Sequence, residues 1–136
     1  MMMETIHIYT DGSCLRPNGA SGWAFIFIDP IADEAILIGS QGIENSTNNR
    51  MELTAIIESL EYMESNIKYE IYTDSQLVQK CANGEWKRKS NLDLWDKYNH
   101  LKKNKKFTIN WIKAHSDNKY NNFVDQLARK EAKNFQ

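Results

Sequence analysis

At 136 residues the chain suits one compact domain with one core, and 41% hydrophobic with 26% charged residues is an ordinary globular composition. No run approaches the roughly 18 apolar residues of a membrane span, and the opening Met-Met-Met-Glu carries no apolar signal region, so we expect a cytoplasmic protein without membrane attachment. The two cysteines, Cys14 and Cys81, form no CxxC pair; this argues against a zinc site and suits a reducing compartment.

In chain order, residues 6–10 alternate Ile6, Ile8 and Thr10 with His7 and Tyr9, the period of a strand. Residues 11–22, rich in Gly, Asn, Ser and Pro, predict a turn. Residues 23–28 are aromatic and β-branched and are stopped by Pro30. A third strand is expected over 35–43, with 31–34 closing a hairpin. Over 48–64, Leu53, Ile56, Ile57, Leu60 and Met63 recur at three- and four-residue spacing, and Ser46 or Thr47 can cap the start of this helix. A strand over 69–73 leads to a short helix over 75–81, broken at Asn83-Gly84, and a second helix over 92–102. A strand over 107–112 carries Phe107, Ile109 and Trp111 on one side, and a closing helix over 122–135 turns Phe123, Leu127 and Ala128 inward. Three leading strands with short connections pair antiparallel, and the later alternation with helices gives parallel strands. A mixed sheet with helices on its faces follows.

The formal net charge of −1 gives no reason to expect a polyanionic ligand, but its distribution does. Residues 80–106 hold nine basic side chains against three acids, a local charge of +6. That segment is either a solvated helix face or a surface that tracks phosphates.

Ile8-Tyr9-Thr10-Asp11 is echoed by Ile71-Tyr72-Thr73-Asp74. Asp after a strand is a common turn former, yet the repeat suggests two carboxylates meeting beyond the carboxyl ends of neighbouring parallel strands, where open α/β sheets bind ligands. Glu52 lies too deep in its helix for a capping box and sits beside the apolar stripe, unlike Glu58, Glu61 and Glu64. It is either an edge residue that reaches water or a carboxylate needing a partner or a metal. Asp125 opens the last helix, where an acid also suits the macrodipole, and His115 lies in the polar loop before it. Carboxylates gathered at one point call for a hard cation. With no sulfur or imidazole in the set, Mg²⁺ or Mn²⁺ fits better than zinc.

Together, Thr10-Asp11-Gly12-Ser13-Cys14, Thr47-Asn48-Asn49-Arg50-Met51-Glu52-Leu53, Thr73-Asp74-Ser75-Gln76, and His115 followed by Val124-Asp125-Gln126-Leu127-Ala128-Arg129 resemble type 1 ribonuclease H, in order and over residues 6–133. The resemblance implies the ribonuclease H-like α/β fold: a five-stranded mixed sheet of order 3-2-1-4-5, strand 2 antiparallel, with helices on both faces. It implies hydrolysis of the RNA strand of RNA–DNA hybrids by a two-metal-ion mechanism, leaving 3′-hydroxyl and 5′-phosphate ends. Asp11, Glu52, Asp74 and Asp125 would hold two Mg²⁺ ions, with Mn²⁺ as a substitute, and His115 would assist proton transfer or product departure. Asn48, Asn49 and Gln76 would contact the hybrid in its minor groove, Thr47 a DNA phosphate, and the backbone of Gly12, Ser13 and Cys14 the RNA sugars.

Three departures stand out. Arg16-Pro17-Asn18-Gly19 replaces the common Gly-Asn-Pro-Gly, and Asn45 stands where some members carry an arginine. The family's basic protrusion is reduced to Trp86, Lys87, Arg88 and Lys89, in which Trp86 reads as a stacking residue or as a core residue. A transposase or junction resolvase on the same fold, or a non-catalytic hybrid-binding module, are the rivals; the amides beside Glu52 and the complete acid set favour ribonuclease H. We expect a single domain over 1–136 acting as a stand-alone monomer, with the hybrid as substrate and no obligate protein partner.

Overall fold

In the computed structural model, which describes residues 5–114 and 116–136, the first strand outruns its sequence signal. β1 is Thr5–Leu15, and the residues expected to turn after Thr10 stay extended because β2, Ala20–Asp29, pairs with them throughout. Asp11 lies opposite Ala24, Gly12 opposite Trp23 and Leu15 opposite Ala20. Cross-strand pairing overrides local turn preference here. The turn shrinks to Arg16-Pro17-Asn18-Gly19, where Gly19 takes φ +75° and donates its N–H to the Leu15 carbonyl at 3.0 Å.

β3, Glu34–Ile43, joins β2 antiparallel. β4, Lys68–Thr73, runs parallel to β1, and β5, Lys106–Trp111, parallel to β4. The sheet order is β3-β2-β1-β4-β5, with β2 alone running against the others, as the resemblance implies.

The alternation along β2 divides the core between the two faces. Trp23, Phe25 and Phe27 pack with α1 (Asn48–Leu60), α2 (Gln76–Ala82) and α3 (Leu92–Leu101). Ala24, Ile26 and Ile28 pack with α4, Lys119–Lys133. Helix α1 stops at Leu60, short of the expected residue 64. The Leu60 carbonyl accepts from Lys105 Nζ and from the Met63 N–H, so Met63 is buried from a turn rather than from a helix.

Helix α4 begins at Lys119 because the Asn118 side chain accepts from the Tyr120 and Asn121 N–H groups. Its buried stripe is Asn121, Val124, Ala128 and Ala132, so Ala128 faces inward as expected with Leu127 partly buried beside it, whereas Phe123 is 38% exposed. The reason is proximity. A Cβ on Gly22 would lie 2.3 Å from the Ala128 carbonyl oxygen and 2.8 Å from the Ala132 nitrogen. At that separation only small side chains fit between helix and sheet.

Gly22→Ala should therefore force α4 off β2 and lower the unfolding free energy by roughly 1–3 kcal/mol. A urea unfolding midpoint equal to that of the parent chain would show that the helix can shift without cost.

Candidate metal centre and nucleic-acid groove

The parallel register of β1 and β4 pairs Ile8 with Ile71 and Tyr9 with Tyr72. Continued by two residues, the same offset sets Asp11 abreast of Asp74. Helix α1 brings the third carboxylate. It crosses β1 at Gly12, where a Cβ would sit 2.4 Å from the Glu52 nitrogen and the Met51 carbonyl carbon. Only glycine admits that approach, which lowers Glu52 onto the strand.

The Gly12 N–H donates to Asp11 Oδ1 at 2.9 Å and to Glu52 Oε1 at 3.2 Å. Asp11, Glu52 and Asp74 each offer an oxygen within 4.8 Å of the others'. Asp11 and Glu52 are buried, and Glu52 Oε2 is a buried acceptor without a hydrogen-bond partner. Burial pushes the Asp11 carboxyl up from 3.8 to about 7; the Glu52 hydrogen bond works against this, and the charges of Asp74 and Asp125 add to it. Burial, followed by the charge of Asp11, also pushes Glu52 well above the usual carboxylate range. Without a cation, this pair retains a proton near neutral pH.

Asp125 lies outside the three-carboxylate cluster, on the wall of the same open cleft of about 380 Å³. It is paired with Arg129 Nε at 3.2 Å, one helical turn along α4. Gly12, Ser13, Cys14 and Asn48 complete the expected lining of that cleft. Thr47 shares an adjoining cleft of about 370 Å³ with Cys14, Asn48 and Arg16. Asn49 lines a smaller cavity with Lys87 and Lys89. Gln76 is exposed in the first turn of α2, and Trp86 is 46% exposed, which rules out the core reading of that tryptophan. His115 lies outside the described residues.

Arg16 and Arg129 line these clefts although the sequence reading gave them no role there. For Arg129 a signal existed, the Asp–Arg spacing of four on one helix. The basic segment needs correction. The Arg88 guanidinium lies 4.2 Å over the Trp95 ring and donates to the Cys81 carbonyl at 3.1 Å and to Asn99 Oδ1 at 2.8 Å. It fastens its loop to α3. Lys80 pairs with Glu85 and Lys105 with the Leu60 carbonyl, so the free cations of the segment are fewer than its count suggests.

Residues 3–133 match the family model for RNase H. Ribonuclease H of Campylobacter curvus (strain 525.92) is 35% identical over 147 residues, covering 98% of this chain and 97% of that protein. Ribonuclease HI of Campylobacter jejuni subsp. jejuni serotype O:2 is 41% identical over 139 residues, covering 96% and 92%. Among solved structures, LC11-RNase H1 in complex with an RNA/DNA hybrid matches with a TM-score of 0.81 at 23% identity, over 95% of this chain and 97% of its own, a likeness of fold.

The raised Asp11 carboxyl has a consequence for stability. A carboxyl whose folded pKa lies above its unfolded value favours the fold below about pH 4, and that contribution is lost as the pH rises towards 7. Asp11→Asn removes the charge. In EDTA it should leave stability near the parent value at pH 4 and raise it by about 2–4 kcal/mol at pH 8. Calorimetry at the two pH values checks this; an equal effect at both would mean that the burial of charge is not the cause.

Proposed function

Because the chain belongs to the ribonuclease H family, we propose that it hydrolyses the RNA strand of RNA–DNA hybrids, leaving 3′-hydroxyl and 5′-phosphate ends. The observation that carries this reading is the carboxylate trio. Asp11, Glu52 and Asp74 lie within 4.8 Å of one another, and one Glu52 oxygen is buried without a partner. A buried carboxylate oxygen without a donor is costly, and a hard cation relieves that cost. The all-oxygen donor set fits Mg²⁺, with Mn²⁺ as substitute. Asp11, Glu52, Asp74 and Asp125 would hold two ions. When bound, these supply the Lewis acidity that activates a water nucleophile and stabilises the departing oxygen of an in-line displacement.

The chain's own residues do the rest. The Gly12 N–H orients Asp11 and Glu52 together, and cation binding requires that the pair give up its retained proton. Asn48, Asn49 and Gln76 present amides to base edges and sugar hydroxyls in the minor groove, where RNA and DNA strands differ. Thr47 takes a DNA phosphate, and the backbone at Gly12, Ser13 and Cys14 passes the RNA sugars. His115 moves a proton or eases product departure, and Trp86 and Lys87 extend the contact along the substrate. The likeness to a structure solved with an RNA/DNA hybrid supports the substrate class. The same reading takes residues 1–136 as one domain acting as a cytoplasmic monomer; among the described residues no helix is long and apolar enough to cross a membrane.

Labelled RNA–DNA hybrid, duplex DNA and duplex RNA should separate this reading from a resolvase or a transposase. Only the RNA strand of the hybrid should be cut, only with Mg²⁺ or Mn²⁺, and excess EDTA should stop it. Asp74→Asn should lose several orders of magnitude in rate, whereas His115→Ala, removing a proton carrier, should lose about 10²–10⁴-fold and retain measurable turnover. Full cleavage in EDTA, or of duplex DNA, would sink the proposal.

The double change Lys87→Ala with Lys89→Ala, leaving Arg88 in place, should raise KM for the hybrid more than it lowers kcat and should flatten the dependence of affinity on salt. Unchanged KM and salt slope would assign both lysines to a merely solvated surface.

A further inference from the structure

Asp74 is held differently from the other two members of the trio. Asp11 lies inside β1 opposite Ala24, and Glu52 lies inside α1. Asp74 follows the last residue of β4 and precedes Ser75, the cap of α2. A residue at a junction has the least backbone restraint, and it faces two more carboxylates within 4.8 Å. Repulsion among them acts to drive it outward.

One contact that opposes this comes from the edge strand. Trp111, the last residue of β5, donates its indole Nε1–H to the backbone carbonyl of Asp74 at 3.1 Å. Two other hydrogen bonds strap the same region to the end of β5: the Ile112 N–H to the Thr73 carbonyl at 2.9 Å, and Asn83 Nδ2 to the Ile109 carbonyl at 3.3 Å. The Ile112 bond holds the peptide that enters Asp74, and the indole holds the peptide that leaves it. Trp111 is 47% exposed, so burial of the ring does not account for its placement; the donor does.

We propose that Trp111 is a positioning residue for the divalent-cation site: its indole N–H clamps the Asp74 peptide and keeps the carboxylate aimed at Asp11 and Glu52. The inference rests on the metal reading above. The clamp acts on cation binding, and through it on turnover, and leaves hybrid affinity alone because Trp111 lines neither the cleft that holds the acids nor the clefts that hold Thr47 and Lys87. Partners that orient metal ligands typically contribute about 10–100-fold to metal affinity or activity.

Trp111→Phe keeps an aromatic ring and removes the donor. Titrated with Mg²⁺ alone by calorimetry, the variant should bind about tenfold more weakly than the parent chain. Its KM for the hybrid should stay unchanged, with a kcat deficit that narrows as Mg²⁺ is raised. Asn83→Ala is the structural control. It severs a neighbouring strap without touching the Asp74 peptide, and it should lower the thermal midpoint while leaving Mg²⁺ affinity as it was. In the parent chain, which needs no substitution to fold, the indole N–H resonance of Trp111 should shift with the same half-saturation as Mg²⁺ uptake. Parental Mg²⁺ affinity in Trp111→Phe overturns the clamp. So does an equal loss in Asn83→Ala, which would make the effect a general loosening, or an indole resonance indifferent to Mg²⁺. A parent chain that takes up no Mg²⁺ overturns the metal reading, and the clamp falls with it.

Discussion

The backbone N–H of Gly12 is shared by two buried carboxylates, and much of the molecule is arranged to keep that unfavourable meeting in place. One donor cannot neutralise Asp11 and Glu52, and Asp74 adds a third acid within 4.8 Å. Each carboxylate is anchored by a different element, so no single local rearrangement can relieve the crowding: Asp11 by a strand, Glu52 by a helix, Asp74 by a strand–helix junction. The crowding is tolerable because the elements are packed for other reasons. The face of the sheet under α1 holds a continuous core from Ile8 and Phe25 to Leu53, Ile56 and Leu60. Burial of that much apolar surface offsets a local electrostatic cost of a few kcal/mol.

Glycine sets the distances on both faces. At Gly12 the missing side chain lets α1 descend far enough for Glu52 to reach the strand, and at Gly22 it lets α4 lie close enough that Asp125 borders the same cleft. The two helices approach from opposite faces of the sheet, yet their acids share one opening. This follows from β1 continuing to Leu15, beyond its last pairing with β4 at Tyr9 and Tyr72. Where the neighbouring strand ends, the sheet leaves a gap, and groups from both faces reach it.

That continuation is also where sequence reasoning fell short. The residues after Thr10 carry the composition of a turn, and only their pairing with β2, a partner visible in three dimensions, keeps them extended. The inward face of α4 was partly misplaced for a related reason. The larger Phe123 looked like a core residue, but closeness to Gly22 selects alanines, and of the expected large residues only Leu127 packs, partly buried, against the core. By contrast, the strand order came with the family resemblance, whereas the pairing of Asp11 with Asp74 and the inward Glu52 were legible in the residues themselves. They depend on the echoed tetrapeptide and on helical spacing, both local properties of the chain. Long-range partners were not: nothing in the sequence links Trp111 to the Asp74 carbonyl or Arg88 to Trp95.

Arg88 shows why a count of charges misjudges a surface. Its guanidinium is stacked on Trp95 and hydrogen-bonded to a carbonyl and an amide, so its charge serves to hold the loop after α2 against α3. Arg50 is likewise committed, bidentate to Asp93 at 3.0 and 2.8 Å, and this joins α1 to α3. Both cations therefore build the wall that carries the exposed Lys87 and Lys89 beside Asn49. A planar guanidinium suits stacked and bidentate bonding, while an ammonium on a flexible stem suits contact with a diffuse polyanion. Within residues 80–106, Arg88 fixes the surface, Lys80 and Lys105 are held by bonds of their own, and Lys87 and Lys89 are left exposed on it.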